Sequence, residues 1–368
     1  MLLFMRKVYK FRLYPTKPQL KKLGRTLELC RYVYNKTLET RKKAWEEDGR
    51  TLSKYSLNNL LPEWKKEDPE LKEVFSQTLQ EVQERVDLAF KYFFRRLKNG
   101  DNPGYPRFKG KGWYDSFCYP QMGFKVHDNS VYLSKIGEVY MVKHREIEGE
   151  IKRICVRRKN NKWYACITAD VRPAEISNSL AVGVDVGLES FATLSTGEKI
   201  ANPRFFREDE KALAKAQRKL SKTEKGTPRR DRAMKVVSRI HERIGNRRYD
   251  FVHQLSRKLV NRFGLIAFED LSIKKMVKNH RLAKSVSDAA WRMLINATRY
   301  KAESAGTKVV LVNPANTSKM CSRCGQIVEK TLDERVHRCP CCGLVMDRDE
   351  NAAINILRLG LQSVAYKA

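Results

Sequence analysis

The sequence predicts a multidomain α+β protein, in which a small antiparallel β-barrel and a helical region precede an α/β domain that carries a zinc ribbon. The chain has 368 residues, enough for more than one domain at about 100–200 residues per domain. Between residues 117 and 170, short apolar runs alternate with polar turns, which is typical of antiparallel strands. After residue 180, apolar strands alternate with long helical segments, which favours an α/β sheet.

The composition favours a nucleic-acid partner. Hydrophobic residues make up 42% of the chain and aromatic residues 10%, so real cores can form and a disordered tail is excluded. The formal net charge is +32, an excess that a nucleic acid or an anionic membrane would offset. No run approaches the roughly 18 apolar residues of a membrane helix, and Arg6 and Lys7 interrupt the apolar start, so no signal peptide is expected. Nine cysteines in a chain of this length do not suggest a secreted disulfide framework, and we expect a reduced, cytoplasmic protein.

The N-terminal part predicts one strand, a helical region and a sheet. Residues 8–14 alternate apolar and basic side chains, as in a half-buried strand. Helical spacing of apolar residues extends over 19–45 and 76–97, and we interpret the stripe of the second segment as core rather than as a ligand site. Prolines and glycines at 102–112 mark a boundary. The runs that predict a small antiparallel β-barrel are 131–133, 139–142, 151–156 and 163–168.

The α/β region starts with a strand that contains a single charge. Residues 181–187 are apolar apart from Asp185, as in strands buried on both faces. The segment 265–268 is another buried strand and ends at Glu269 and Asp270, of which only one can share the Asp185 site because side chains alternate. The remaining predicted elements are a strand at 191–194, long basic helices over 204–262, a helix at 288–305 and a strand at 308–312.

Two C-x-x-C pairs predict a structural zinc site. Cys321 and Cys324, with Cys339 and Cys342, can present four thiolates to one tetrahedral ion, and a glycine follows each pair. Cys341 could replace Cys342 or Cys339, and His337 is also near in sequence; we prefer 339 and 342 because they repeat the spacing of the first pair. A closed four-cysteine site has no open position, so we expect it to be structural.

Three carboxylates, Asp185, Glu269 and Asp349, are the candidate catalytic residues. Burying an unpaired carboxylate in a strand is costly unless a cation or hydrogen-bond donors compensate it. Asp349 lies at the start of a predicted helix, where Ala352 and Ala353 share its face and would allow close approach to a sheet. The alternative for this residue is plain helix capping, by Asp347 or by Asp349 itself. As a set in a basic chain, the three acids suit two hard divalent ions that act in phosphodiester hydrolysis.

The motifs together resemble the transposon-encoded TnpB proteins, relatives of the type V CRISPR effector nucleases. The match covers nearly the whole chain. The segments that carry it are YKFRLYPT at 9–16, GYPRFK at 104–109, GVDVG at 183–187, FEDL at 268–271, TSKMCSRCG at 317–325 and DRDENAA at 347–353.

The resemblance implies a β-barrel wedge domain with a helical recognition insert, followed by a RuvC-type RNase H-like α/β domain with an inserted zinc ribbon. The boundaries we expect are 1–15 and 117–180 for the wedge, 16–116 for the recognition domain, 181–318 and 343–360 for the RuvC-like domain, 319–342 for the zinc ribbon that binds target nucleic acid, and 361–368 for a tail.

The resemblance also implies an activity. It predicts a monomeric ribonucleoprotein that uses a guide RNA from the transposon end to recognise double-stranded DNA next to a short motif. The protein is expected to cut both DNA strands with Mg²⁺ or Mn²⁺ bound at Asp185, Glu269 and Asp349. Tyr55 and the glutamines Gln77 and Gln80 are candidates for contacting the adjacent motif, since a glutamine can hydrogen-bond an adenine edge. The alternative function is an RNA-guided or unguided DNA-binding repressor without nuclease activity, although such a descendant should have lost acids of the triad.

Overall fold

The computed structural model describes residues 4–173, 178–272, 276, 280–331 and 334–365, which form two compact units. One unit spans Arg6–Val171, and the other contains Phe4, Met5 and the described residues from Arg172 onward. The ranges predicted for the wedge and the recognition domain overlap the first unit, except that 4–5, 172–173 and 178–180 of the predicted wedge lie in the second unit with the ranges predicted for the RuvC-like domain and the zinc ribbon.

The first unit contains a seven-stranded sheet in the order β2-β6-β7-β1-β5-β4-β3. The strands are β1 (Met5–Tyr14), β2 (Ser116–Tyr119), β3 (Phe124–Val126), β4 (Ser130–Leu133), β5 (Gly137–Val142), β6 (Glu150–Lys159) and β7 (Lys162–Val171). Apolar residues of one face, among them Phe11, Leu13 and Ile167, are fully buried. The alternation seen in the sequence predicted β1, β4, β5, β6 and β7, whereas β2 and β3 were not among the predicted runs.

The predicted closure of this sheet into a barrel is wrong. Strands β2 and β3 are the two edges, and no pairing joins them within the described ranges. These edge strands have 4 and 3 residues, and each is paired on one side only, β2 with β6 and β3 with β4. The sheet is open.

Three helices complete the first unit. They are α1 (Lys17–Asp48), α2 (Lys54–Glu67) and α3 (Ser76–Lys98), of which the sequence predicted the first and third. Helix α1 starts with a capping box, in which the backbone N–H of Thr16 donates to Gln19 Oε1 at 2.9 Å. The apolar stripe of α3 is buried from Leu79 to Phe90 but exposed at Leu97, so it forms core over most of its length.

Two cysteines of the first unit form a disulfide. The antiparallel register of β2 and β6 places Cys118 directly opposite Cys155, with a Cα–Cα distance of 4.0 Å, and their sulfurs are bonded. The sequence predicted a reduced chain, and this disulfide differs from that prediction. The spacing of the two cysteines along the chain does not reveal that they face each other.

The second unit is built on a five-stranded mixed sheet in the order β10-β9-β8-β11-β12. Its strands are β8 (Ala181–Asp185), β9 (Ser190–Leu194), β10 (Lys199–Ala201), β11 (Leu265–Glu269) and β12 (Lys308–Val312). Strand β11 runs parallel to both β8 and β12, whereas β8 and β9 are antiparallel. Apart from the short β10, each of these strands was predicted from its apolar run.

The α-helices described in this unit are α4 (Phe205–Ser221), α5 (Pro228–Arg262), α6 (His280–Ala289), α7 (Trp291–Ala305) and α8 (Arg348–Ala365). The helix predicted at 288–305 is interrupted at Ala290, whose φ of 56° ends α6 and starts α7. Helix α8 continues to Ala365, beyond the predicted start of the tail at 361. A two-stranded ribbon, β13 (Val336–Arg338) and β14 (Val345–Asp347), precedes α8. None of the helices in the described part of the chain is long and apolar enough to span a membrane.

Candidate functional site

The three acids predicted from the sequence come from three different elements of the second unit. Asp185 is the last residue of β8, and Glu269 is the last residue of β11. The strands are parallel neighbours with Phe268 opposite Val184, so both acids leave the sheet at the same edge, on backbones about 5 Å apart. Asp349 lies in the first turn of α8.

Small residues allow α8 to lie directly on the sheet. A Cβ at Gly183 would be 2.0 Å from the carbonyl oxygen of Ala353, and one at Gly360 would be 2.6 Å from the Cβ of Ala267. Ala352 and Ala353 are buried at this contact, as the sequence predicted. The close approach brings the first turn of α8, and with it Asp349, to the ends of β8 and β11.

Asp185 interacts electrostatically with both other carboxylates. Burial, followed by the negative charges of Glu269 and Asp349, raises the pKa of Asp185 to about 8, and the nearby Arg348 only partly opposes this. Burial also raises the pKa of Glu269, which accepts a hydrogen bond from the hydroxyl of Thr317. The site therefore holds more negative charge than its own cations neutralise.

The structure separates the roles of Asp347 and Asp349. Asp347 Oδ1 accepts the backbone N–H groups of Asp349 at 3.0 Å and Glu350 at 3.1 Å, so Asp347 caps α8. The Asp349 carboxylate accepts instead from Arg348, at 3.2 Å from Nε and 3.1 Å from Nη2. The capping alternative therefore applies to Asp347 and leaves the Asp349 carboxylate available to the site.

This donor set fits a divalent cation. It consists of carboxylate oxygens, which hard ions such as Mg²⁺ and Mn²⁺ prefer. A doubly charged ion would also relieve the repulsion that raises the pKa of Asp185. Among the described residues, the ligand atoms of the three acids do not form a close group of the kind that the four cysteine sulfurs described below form.

Three buried polar residues that the sequence did not single out, Thr317, Asn351 and Asn355, support this site. Thr317 Oγ1 donates to Glu269 Oε1, and the side chains of Asn351 and Asn355 on α8 bond to the backbone around Thr317 and Met320. Both asparagines are fully buried. A signal was present, since two asparagines four residues apart among alanines in a helix require internal partners if that face is buried.

The four predicted cysteines converge in the segment before α8. The sulfurs of Cys321, Cys324, Cys339 and Cys342 all lie within 4.8 Å of one another, and no other such group occurs among the described residues. The Sγ–Sγ distances are 3.6 Å for 321 and 342 and 3.5 Å for 324 and 339. Cys341 is exposed and outside the group, so the structure selects 339 and 342 from the alternatives.

The two cysteine pairs form equivalent turns. Gly325 N–H donates to the carbonyl of Cys321 at 2.9 Å and Gly343 N–H to that of Cys339 at 3.0 Å, with φ of 81° and 72° respectively. A positive φ favours glycine at both places. The backbone N–H of Cys342 lowers the pKa of Cys339 to about 6, whereas the pKa values of Cys324 and Cys342 in the same group are raised. Four thiolates in this arrangement fit tetrahedral zinc.

His337 does not join the cysteine group. Its ring is fully buried on β13, and its Nδ1 is hydrogen-bonded to the amino group of Lys330. Burial and the charge of Lys330 lower the pKa of the histidine, which keeps the ring neutral.

The candidate motif-contacting residues all lie in the first unit. Tyr55 is on α2 and is 70% exposed, and the amino group of Lys54 lies 5.2 Å from its ring centroid. Gln80 is exposed on α3, whereas Gln77 is partly buried and its Oε1 has no hydrogen-bond partner among the described residues. The structure places Tyr55 on α2 and both glutamines on α3.

Comparisons with known families match three parts of the chain. Residues 154–280 match a family described as "Probable transposase", 291–356 match "Cas12f1-like, TNB domain" and 1–50 match "Helix-turn-helix domain". The described residues of the third match form strand β1 and the single long helix α1, rather than two short helices.

Full-length relatives decide the family. A Streptomyces pristinaespiralis protein named as an RNA-guided DNA endonuclease is 38% identical over 98% of this chain and 90% of its own length. The chain belongs to the TnpB family. Another relative, the Escherichia coli K12 protein InsQ, carries the same kind of name and is 31% identical over 96% of this TnpB-family chain and 92% of its own length.

A solved structure shares the fold of this TnpB-family chain. The cryo-EM structure of a Cas12f1–sgRNA–target DNA complex aligns with a TM-score of 0.60 over 96% of this chain and 98% of that one, at 15% identity. At this identity the likeness concerns the fold, and it agrees with the relation between the TnpB family and the type V effectors.

Proposed function

We propose that this protein is an RNA-guided DNA endonuclease, and that Asp185, Glu269 and Asp349 hold the divalent ions of its active site. The observation that carries the proposal is the placement of the three acids at the ends of β8 and β11 and the start of α8, where burial, followed by the charges of Glu269 and Asp349, raises the pKa of Asp185 to about 8. The formal charge of +32 supports a nucleic-acid substrate, and the names of the full-length relatives support the guided activity.

Asp185, Glu269 and Asp349 would hold two Mg²⁺ ions, with Mn²⁺ as a substitute, and these ions would supply activation of water and stabilisation of the leaving oxygen in phosphodiester hydrolysis. Asp185 interacts with both other carboxylates, so we assign it the central ligand position. Glu269 is held by Thr317, and Asp349 by Arg348. These partners orient the two outer carboxylates before the ions bind.

The remaining parts serve guide and target binding. The second unit is a RuvC-type RNase H-like domain, and its four-cysteine ribbon binds one structural Zn²⁺ and contacts the target nucleic acid. The first unit is the wedge and recognition part, in which Tyr55, Gln77 and Gln80 contact the DNA motif next to the target. The partners are a guide RNA from the transposon end and double-stranded DNA, bound by a monomeric ribonucleoprotein in the prokaryotic cytoplasm.

The test is cleavage of a plasmid library by the protein purified with its transposon-end RNA, in Mg²⁺. Asp185→Ala is the inactive variant, and Asp270→Ala is the matched control, because Asp270 is the exposed neighbour of Glu269. Cutting that requires a guide match and Asp185, but not Asp270, supports the proposal and reveals the adjacent motif. Guide-dependent binding without cutting, by folded and zinc-loaded protein, would instead favour the repressor.

A further inference from the structure

A buried chain of hydrogen bonds joins helix α8, which carries Asp349, to the carboxylate of Glu269 on β11. The side-chain amide of Asn355 donates to the carbonyl oxygen of Thr317 at 2.9 Å and to that of Met320 at 2.6 Å. The hydroxyl of Thr317 then donates to Glu269 Oε1. Thr317 is 3% exposed and Asn355 is fully buried, so water does not compete for these bonds.

Thr317 uses both of its polar groups to bridge the two elements. Its carbonyl faces α8 and its hydroxyl faces β11. The hydroxyl has one proton, and the carbonyl of Pro314 at 3.2 Å is a more distant and uncharged alternative acceptor. A carboxylate is the stronger acceptor, so the proton goes to Glu269.

The segment that contains Thr317 is fixed to α8 at several points. Asn355 Oδ1 accepts from Arg358 Nη2 at 3.0 Å, which orients the amide so that its N–H groups face the segment. One turn earlier, Asn351 donates to the carbonyl of Met320 at 2.7 Å and accepts the backbone N–H of Ser322 at 2.9 Å. The position of Thr317 is therefore fixed relative to α8, the helix that carries Asp349.

The Glu269 side chain has three rotatable bonds and leaves the sheet at a strand end. Without a partner, it would sample several rotamers and would have to be ordered when an ion binds. Among the hydrogen bonds found in the described part of the chain, the one from Thr317 is the side-chain bond that holds this carboxylate.

We propose that Thr317, oriented by Asn355, is a positioning residue that sets the Glu269 carboxylate relative to Asp349 for metal binding. This inference rests on the proposed function, because it concerns the same three acids. Thr317 itself touches neither substrate nor ion. Removing such a hydrogen-bond partner of a metal ligand typically weakens metal affinity by about 10–100-fold.

The experiment measures metal binding rather than cleavage. The full zinc-loaded chain is titrated with Mn²⁺, and free Mn²⁺ is measured by electron paramagnetic resonance. The active-site ions are defined as the Mn²⁺ ions that the wild type binds and the Asp185→Ala variant does not. We expect Thr317→Val to raise the Mn²⁺ concentration for half-saturation by about 10-fold or more, and Thr317→Ser, which keeps the hydroxyl, to restore the wild-type value. Should the valine variant not fold, Thr317→Ala removes the same hydroxyl with less bulk.

Thr298→Val is the matched control. Thr298 is a fully buried threonine of the same unit, but its hydroxyl donates only to the carbonyl of Leu294 within α7, at 2.9 Å. The Thr298→Val variant should bind Mn²⁺ as the wild type does. An equal loss of Mn²⁺ affinity in Thr298→Val and Thr317→Val would refute a specific role for Thr317. Wild-type affinity in folded Thr317→Val or Thr317→Ala, or no rescue by serine, would also overturn the inference.

The two proposals fail in distinguishable ways. If Asp185→Ala releases no Mn²⁺ relative to the wild type, the proposed metal site is wrong and the role of Thr317 falls with it. If the Asp185-dependent ions are present and Thr317→Val leaves their affinity unchanged, only the positioning role is wrong.

Discussion

The carbonyl oxygen of Ala353 occupies the space that a side chain at Gly183 would need, 2.0 Å from the position of its Cβ. Gly183 lies in the middle of β8, two residues before Asp185, and Ala353 lies one turn after Asp349 on α8. The contact of these two residues therefore sets how closely the helix that carries one acid approaches the strand that carries another.

Gly183→Ala should disrupt this contact. The new methyl group would meet backbone, which cannot rotate away, so we expect a loss of stability of about 3 kcal/mol or more and a loss of cleavage. Thermal unfolding and plasmid cleavage measure the two effects. Gly245→Ala is the control: it is an exposed position within α5 with no atom within 4 Å of the added Cβ, and it should be neutral or stabilise by up to about 1 kcal/mol. Equal stability of the two variants would contradict the close packing.

Asp347 and Asp349 should give opposite results when replaced by alanine. Asp347→Ala removes the helix cap and should cost about 1 kcal/mol while cleavage persists, because its carboxylate serves backbone N–H groups. Asp349→Ala should fold normally, since it removes a charge that repels Asp185, but should abolish cleavage. The midpoint of thermal unfolding and the cleavage rate distinguish them. Cleavage by Asp349→Ala would refute the assignment of this acid.

Asp185 should make stability depend on pH in the absence of Mg²⁺ and Mn²⁺. Its pKa is raised to about 8 in the folded chain, so the folded state holds a proton that the unfolded chain releases near pH 4. The stabilisation that this bound proton provides is therefore fully present below about pH 4 and is lost progressively as the pH rises to about 8. Above about pH 8, Asp185 causes no further change of stability with pH.

Asp185→Asn tests this dependence, because the amide cannot ionise. Each pKa unit of difference between the folded and unfolded chain corresponds to about 1.4 kcal/mol, so the variant should become increasingly more stable than the wild type between pH 4 and pH 8. Thermal unfolding of zinc-loaded protein across that range measures the difference. Asp270→Asn, at an exposed position, should show none. A difference that shrinks as pH rises would contradict the burial of an ionisable Asp185.

The zinc ribbon should distinguish Cys341 from its neighbour. Cys342→Ser removes one of four converging ligands and should release the ion, whereas Cys341→Ser changes an exposed thiol outside the group and should retain one zinc per chain. Native mass spectrometry gives the zinc content. Loss of zinc from both variants would show that Cys341 is a ligand.

Zinc loss should also reduce cleavage, because the first cysteine turn is attached to α8. Asn351 accepts the backbone N–H of Ser322, directly after Cys321, and the same segment contains Thr317. We expect the Cys342→Ser variant to cleave more slowly than Cys341→Ser at equal protein and guide concentrations. Equal rates would show that the acid site does not depend on the ribbon.

Much of the local structure could be predicted from the sequence, because it depends on neighbours along the chain. The apolar runs predicted β8 and β11 together with the acids at their ends, and the alanines after Asp349 predicted the close contact of α8. The C-x-x-C spacing predicted the turns that the structure shows, since a turn of a few residues needs only its own cysteines and glycine. Resemblance of ordered motifs predicted the family.

The tertiary structure decided which distant segments meet. Strand patterns predicted a barrel, but the short edge strands β2 and β3 leave the sheet open. Periodicity predicted one helix where Ala290 separates two, and the sequence did not show that Cys118 faces Cys155. Only the fold assigns capping to Asp347 and connects Thr317 to Glu269. The physical reason is that periodicity reports which face of a segment is buried, whereas the partner of that face depends on how segments far apart in sequence pack together.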